Sequence, residues 1–223
     1  DKKNSQKIST ELNIKNISKS LYFPQFFEVE TVNACNARCN MCTIRDWKKR
    51  GSYLMPRETW KKFLDEIKHY SSWINRVNVS RDGEPLLDLN LERKIKDLKN
   101  ISVRFVTLAT NGSLLSARRS RSLLDAGLDD IMFSIDGFTR ETYEKIRVGL
   151  KFNEVVQNCL NFIKLRDSKK HKTTIRVRMV LQDENKNELK RWMHYWAQFL
   201  KKGDRVYAKP AHSWGNQLKA YQG

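Results

Sequence analysis

The chain has 223 residues, of which 39% are hydrophobic, so it is long enough for one sizeable α/β domain and too short for two. Its 43 Lys and Arg residues exceed its 25 Asp and Glu residues, which gives a formal charge of +18. No run approaches the roughly 20 apolar residues that cross a bilayer, and no apolar run follows the Lys-rich start to form a signal peptide. We therefore expect a cytoplasmic protein without a membrane partner.

The positive charge is spread along the chain. Short basic runs occur only at residues 48–50, 118–119 and 169–170, and the other Lys and Arg residues lie on polar helix faces. A dispersed charge is typical of a solvated surface, whereas proteins that bind nucleic acid concentrate it on one face. Nucleic acid is therefore not an expected partner, and an acidic peptide or a phosphorylated substrate stays open.

The first predicted element is a polar, basic N-terminal arm over residues 1–24. A strand follows over residues 26–32, in which apolar residues alternate with Glu28 and Glu30. After a long loop that carries three cysteines, Pro56 begins a helix with apolar residues at i, i+3, i+4 and i+7. The chain therefore begins with an arm, a strand, a loop and a helix.

The order of strand, loop and helix then repeats. Ser113 is placed to cap a helix that Gly127 ends, and Cys159 lies on the apolar face of a later helix, which places it in the core. Strands that alternate with helices pair in parallel through right-handed crossovers. The fold class is therefore α/β, a partial (β/α)6 barrel over residues 25–210, and residues 211–223 form a C-terminal loop that could begin an extension. Further strands are predicted over 76–80, 103–109, 131–135, 173–181 and 205–208, and further helices over 89–98, 139–146, 152–163 and 189–200.

Residues of unusual type follow the carboxyl ends of the predicted strands. In (β/α) folds the active site lies at that end of the barrel. We therefore expect these loops to converge on one site. They carry the three cysteines after the first strand, Gly83-Glu84-Pro85 after the second, Asn111-Gly112 after the third, Ser134 and Asp136 at the fourth, and His212 to Trp214 after the sixth.

The cysteine loop has the spacing C-x3-C-x2-C, with thiols at Cys35, Cys39 and Cys42. A disulfide framework is not expected, because so short a loop would be strained and one thiol would be left over. Zinc sites normally have four ligands, and the nearest histidine, His69, lies on the far side of a predicted helix. Three thiolates at this spacing can instead hold three irons of a cubane cluster and leave the fourth iron without a protein ligand.

Together with four further motifs, this loop resembles the radical S-adenosylmethionine (SAM) superfamily, and especially its branch with a SPASM or twitch extension. The resemblance covers residues 26–215, and the motifs stand in the family's order and spacing. The four motifs are Gly83-Glu84-Pro85-Leu86-Leu87, Thr110-Asn111-Gly112, Ser134-Ile135-Asp136-Gly137 and Tyr143-Glu144-Lys145-Ile146-Arg147.

The resemblance implies two cofactors, a [4Fe-4S] cluster on the three cysteines and SAM on its open iron. An electron from the cluster cleaves the S–C5′ bond of SAM, and the resulting 5′-deoxyadenosyl radical abstracts a hydrogen from the substrate. The expected partners are a peptide or small-molecule substrate and an electron donor such as flavodoxin or ferredoxin.

The resemblance also assigns residues to SAM. Asp82, Gly83 and Glu84 would meet its amino group, and the guanidinium fork of Arg147 would meet its carboxylate. The alternative for Arg147 is an exposed ion pair with Glu141 or Glu144. Asn111, Ser134 and Asp136 would meet the ribose and amino-acid portions, and Met41, Val180 and Leu181 would lie against the adenine.

The sequence departs from the family pattern in two places. Asp82 replaces the first glycine of the usual Gly-Gly-Glu, and no cysteine follows Cys159, although auxiliary clusters need several. We expect either that the chain is incomplete or that it lacks those clusters.

The sequence leaves three candidate functions open. The first is an oxidoreductase or maturase that acts on a peptide or a sugar-like metabolite. The others are an RNA-modifying radical SAM enzyme and a non-enzymatic basic binding protein on a degraded barrel.

Overall fold

The computed structural model describes residues 23–46 and 53–213. In them six parallel strands form one sheet in the order β1-β2-β3-β4-β5-β6, with a helical connection between neighbours. This confirms the predicted α/β class and its parallel pairing, and most of the N-terminal arm and Trp214 lie outside the described residues. The strands are β1 (Phe26–Glu28), β2 (Arg76–Asn78), β3 (Phe105–Thr110), β4 (Asp130–Ser134), β5 (Thr174–Leu181) and β6 (Arg205–Pro210).

Six α-helices of the described chain connect these strands and cover one side of the sheet. One predicted cap was wrong: the side chain of Ser116, not Ser113, caps the helix Ala117–Asp125 by accepting a hydrogen bond from the backbone N–H of Arg119. Gly127 ends that helix as predicted, with a φ of 88°. The helices are α1 (Arg57–Ile67), α2 (Leu91–Asn100), α3 (Ala117–Asp125), α4 (Arg140–Ile146), α5 (Phe152–Ser168) and α6 (Leu189–Ala197).

The two faces of the sheet differ in chemistry. Partners such as Val77↔Val106 and Ile131↔Ile175 share the face toward the helices, where all four are buried with Cys159 in the core. Residues one position along each strand point the opposite way, into the barrel lumen. That face is polar, and its members include Asn78, Thr107, Asp130, Ser134, Arg176, Arg178, Tyr207 and Lys209.

A buried ion pair fixes the far edge of the sheet. Two guanidinium nitrogens of Arg166, on α5, donate to the two carboxylate oxygens of Asp204 at 2.8 Å, and one of them also donates to the carbonyl of Thr173 at 3.0 Å. Asp204 in turn accepts the backbone N–H of Ile175, at 2.9 Å. The pair therefore joins α5 to β5 and to the turn before β6.

No helix among the described residues combines the length and apolar character that a membrane crossing requires.

We expect Arg166→Met to lower the free energy of unfolding by about 3 to 5 kcal/mol, because it leaves the buried Asp204 carboxylate without a counter-ion. Urea unfolding measures this. The matched control is Lys201→Gln, which removes an exposed pair with Asp167 and should cost at most about 1 kcal/mol. Equal losses in the two variants would contradict the structural role of Arg166.

Candidate functional site

One cavity of about 400 Å³ opens at the carboxyl ends of the strands. It is the end of the barrel at which the unusual residues were predicted to converge, and most of them line it. His212, which follows β6, lines it as well. The predicted residues in its wall are Cys35, Cys39, Met41, Cys42, Asp82, Gly83, Glu84, Asn111, Ser134, Arg147 and Val180.

Two predicted SAM residues do not line this cavity. Asp136 has no solvent-exposed surface and lies behind Arg147, and Leu181 packs against the hydrophobic core. Asp136 can therefore act on a ligand only through its neighbours.

The cysteine loop is held by the last residue of α4 and the segment that follows it. The backbone N–H groups of Arg38 and Asn40 donate to the carbonyls of Val148 and Ile146, at 2.8 and 3.0 Å. Gly149 has a φ of 94°, and a Cβ at this position would lie 3.3 Å from the carbonyl oxygen of Asn36. The loop therefore depends on a segment more than 100 residues away in the sequence.

A side-chain network ties the cysteine loop to the end of β3. The amide nitrogen of Asn111 donates to Oδ1 of Asn36 at 2.9 Å, and the amide nitrogen of Asn36 donates to the hydroxyl of Ser113 at 2.8 Å. That hydroxyl and the N–H of Ser113 both donate to Oδ1 of Asn111. Asn111 therefore has one N–H left for a ligand, and Ser113 supports this network instead of a helix.

Residue 83 must be glycine because its Cα atom packs closely against the backbone at the start of the cysteine loop. A Cβ at residue 83 would lie 2.4 Å from the carbonyl oxygen of Val32 and 2.6 Å from that of Ala34. The backbone N–H groups of Asp82 and Gly83 both donate to a carboxylate oxygen of Glu30, at 3.2 Å. Sequence reasoning missed Glu30, although its alternation with buried Val29 and Thr31 places it on the lumen face.

Glu84 lies on the floor of the cavity with 2% of its surface exposed. Its carboxylate accepts hydrogen bonds from the hydroxyl of Thr110 at 2.6 Å, from the N–H of Asn111 at 2.8 Å and from the N–H of Leu86 at 3.1 Å. All three donors are neutral. Burial raises the pKa of Glu84 above its ordinary value, and the hydrogen bonds offset part of that effect.

Arg147 forms a buried ion pair with Asp136. Its Nε atom donates to Oδ2 of Asp136 at 2.6 Å, and its Nη1 atom lies 3.6 Å from Sγ of Cys39. The alternative of an exposed pair with Glu141 or Glu144 was wrong, because Glu144 instead pairs with Arg140. Arg147 therefore joins the end of β4 to the cysteine loop, and its pKa is raised by Asp136 against the effect of burial.

The three cysteines fit an iron-sulfur cluster better than a single metal ion. All three are free thiols in the wall of one cavity. No group of three or more His, Cys, Asp or Glu side chains in the described residues converges closely enough to hold one ion. In a cubane cluster each thiolate binds a different iron, so the sulfurs stand apart.

The environment of these thiols favours metal-bound thiolate over free thiolate. Burial raises the pKa of Cys35 to about 11 and also raises the pKa of Cys42. A metal deprotonates a thiol that it binds, so iron would replace those protons.

Comparisons with known proteins agree with this geometry. The sequence matches the radical SAM superfamily over residues 29–195. It is 33% identical over 165 residues to an uncharacterized protein of Methanocaldococcus jannaschii, a match that covers 72% of this chain and 49% of that protein. It is 27% identical over 169 residues to a probable GTP 3′,8-cyclase of Methanococcus maripaludis, over 76% of this chain and 54% of the relative.

The fold also has solved counterparts. The structure of SuiB of Streptococcus suis bound to its precursor peptide SuiA superposes with a TM-score of 0.73 at 14% identity, over 93% of this chain and 45% of that chain. The chain spans about half the length of the curated relatives that it matches.

We expect Cys35→Ala, Cys39→Ala and Cys42→Ala each to prevent stable assembly of the cluster, because each thiolate supplies one iron's protein ligand. Iron and sulfide analysis after anaerobic reconstitution measures this. Cys159→Ala is the matched control, since Cys159 lies in the core, and it should bind the same iron as the parent. Retention of about four irons by any of the first three variants, or cluster loss in the control, would refute the assignment.

Proposed function

The chain belongs to the radical SAM superfamily, and we propose that Cys35, Cys39 and Cys42 hold a [4Fe-4S] cluster at which SAM is reductively cleaved. The single observation that carries this proposal is the meeting of three free thiols with Glu84 and Arg147 in one cavity at the carboxyl end of the barrel. The cluster and SAM, when bound, supply the one-electron chemistry and the radical that removes a substrate hydrogen.

The side chains of this chain bind and orient the amino-acid portion of SAM. Glu84 presents a buried carboxylate that makes no ion pair with a described residue, so an ammonium group there would gain a charge-assisted hydrogen bond. Arg147 offers its remaining N–H groups to the SAM carboxylate. Asp136 acts as a positioning residue, because its Oδ2 atom holds the Nε atom of Arg147.

The remaining assignments follow the walls of the cavity. Ser134, Asn111, Met41 and Val180 all line the cavity. Ser134 and the remaining amide N–H of Asn111 would donate to the ribose or carboxylate, and Met41 and Val180 would provide apolar surface for the adenine. Leu181, which packs against the hydrophobic core next to Val180 in the chain, would support that surface. These groups would also exclude water from the reacting atoms.

We propose an oxidoreductase or maturase, with a peptide or a small metabolite as substrate and a flavodoxin or ferredoxin as electron donor. The names of the similar proteins support both substrate classes, since one group is named for GTP and SuiB is bound to a peptide. The SPASM branch is part of the same proposal and rests on the likeness to SuiB. The intact cysteine set argues against a degraded barrel that only binds a partner.

We expect anaerobically reconstituted protein, reduced with dithionite, to convert SAM to 5′-deoxyadenosine and methionine, and air-purified protein to be inactive. Mass spectrometry measures the product. The Cys39→Ala variant is the negative control. Absence of 5′-deoxyadenosine from a sample whose reduced cluster is visible by electron paramagnetic resonance would remove the radical mechanism.

We expect Arg147→Gln to weaken SAM binding by roughly 30- to 1,000-fold, because a charge-assisted pair with the carboxylate is lost. The same change leaves Asp136 buried without a counter-ion, so stability falls as well. Calorimetry on cluster-loaded protein measures the affinity, and urea unfolding measures the stability.

The double variant Arg147→Gln with Asp136→Asn separates the two effects. It removes both charges of the pair, so it should regain much of the stability and none of the SAM affinity. If its SAM dissociation constant lies within about threefold of the parent, Arg147 holds the fold and does not bind the carboxylate.

A further inference from the structure

The cavity wall contains more positive charge than its own acidic groups neutralise. Of its Arg and Lys side chains, Arg81 pairs with Glu28 at 2.8 Å and Arg147 pairs with Asp136 at 2.6 Å. The other two, Arg178 and Lys209, form no ion pair with any residue in 23–46 or 53–213. Both belong to the edge of the barrel formed by β5 and β6.

Arg178 differs from the arginine that precedes it on the same face of β5. The guanidinium of Arg176 is bound by the carboxylate of Asp130, whereas the Nε atom of Arg178 is buried and has no hydrogen-bond partner among the described residues. Its register partners on the lumen face are Ser134 and Tyr207, which carry no negative charge. Arg178 is therefore a partly buried cation of this wall that forms no ion pair with a described residue.

The unpaired, partly buried charge of Arg178 lowers the free energy of unfolding. Burial lowers the pKa of Arg178, the nearby carboxylate of Asp136 acts against that shift, and the positive charge of Arg147 adds to it. A buried charge without a partner destabilises a fold, and a buried donor without an acceptor calls for an explanation. A ligand that brings negative charge into the cavity would explain both the unpaired charge and the unpaired donor.

Lys209 lies close enough to share such a ligand. It pairs in register with Val180, two residues beyond Arg178 on the same face and toward the open end of the barrel. Two residues along a strand span about 6.6 Å and neighbouring strands lie about 4.8 Å apart, so the two Cα atoms are about 8 Å apart. Side chains as long as Arg and Lys can reach one small group from that distance.

We propose that Arg178 and Lys209 bind a phosphate group of the substrate, on the β5–β6 side of the cavity. Two cations match a doubly charged phosphate better than a singly charged carboxylate, and a guanidinium fork can donate two parallel hydrogen bonds to phosphate oxygens. This inference rests on the proposed function in one respect only, that the substrate enters this cavity. It narrows the substrate class to a phosphorylated metabolite or a phosphate-bearing peptide.

The main competing role for Arg178 is to bind the SAM carboxylate. That group carries one negative charge and is assigned above to Arg147, which reaches Sγ of Cys39 within 3.6 Å. The two roles differ in what Arg178→Gln changes: phosphate affinity in one case and SAM affinity in the other.

The test is a calorimetric titration of inorganic phosphate into anaerobically reconstituted, SAM-saturated protein, with acetate as the comparison anion. We expect the parent to bind phosphate more tightly than acetate, Arg178→Gln to weaken phosphate binding by about tenfold or more, and Lys209→Gln by about threefold or more. SAM affinity should stay within about threefold of the parent in both variants. Arg81→Gln is the matched control, because Arg81 already pairs with Glu28, and its phosphate affinity should not change.

Each contrary outcome overturns the proposal. These outcomes are no phosphate binding by the parent, equal affinity for acetate, unchanged phosphate affinity in Arg178→Gln, or a loss of SAM affinity in that variant. Urea unfolding provides a further check. Arg178→Gln removes an unpaired charge, so it should not lower the free energy of unfolding. A loss like that expected of Arg166→Met would show that Arg178 has a structural role instead. The titration needs no turnover, so absence of 5′-deoxyadenosine would remove the proposed function and leave the phosphate site standing.

Discussion

The carboxylate of Asp136 is the interaction on which the site depends. Its Oδ2 atom binds the Nε atom of Arg147, and its Oδ1 atom accepts the backbone N–H of Val180 at 2.6 Å. It thus joins the ends of β4, α4 and β5, and Arg147 carries the connection to within 3.6 Å of Sγ of Cys39. The residues just before and after Arg147 also accept the backbone N–H groups of Arg38 and Asn40. The buried ion pair therefore lies in the segment that holds the cysteine loop.

The two-sided construction of the sheet explains why polar pairs lie on the lumen side of the barrel. A sheet whose helix-facing side is a continuous apolar core gains its stability there, and its lumen face is left free for polar groups. In this chain several polar side chains of the lumen face bond one another: Ser80 donates to Asn78, Thr107 donates to the same oxygen of Asn78, and Asp130 accepts from Arg176. Polar groups that satisfy one another form rigid walls, and rigid walls can hold a ligand in one orientation.

The sequence predicted those parts of the fold and site that depend on local pattern. The six strands follow from their apolar runs and the breakers after them, and the cysteine spacing is itself a local feature. Contacts between distant segments could not be read in this way. Three such features are settled by how loops pack in three dimensions. They are the hydrogen bond between Asn36 and Asn111, the two backbone N–H groups that donate to Glu30, and the capping of a helix by Ser116 instead of Ser113. Arg147 was placed at the site by resemblance, but its partner Asp136 was assigned a different role because nothing local links residues 11 positions apart across a turn and a helix.

Two charged side chains of this cavity, one buried and one partly buried, form no ion pair with a described residue, and their charges are of opposite sign. The carboxylate of Glu84 lies beside β3 and accepts only neutral donors, while the guanidinium of Arg178 lies across the lumen on β5. Had either charge served only the fold, a neutral side chain of similar size would have cost less. The cavity is therefore complementary to ligands that bring a cation to the side of Glu84 and an anion to the side of Arg178. In the function proposed above, the ammonium group of SAM would meet the first requirement at Glu84. Its single carboxylate would be bound by Arg147, which leaves the second requirement to the substrate.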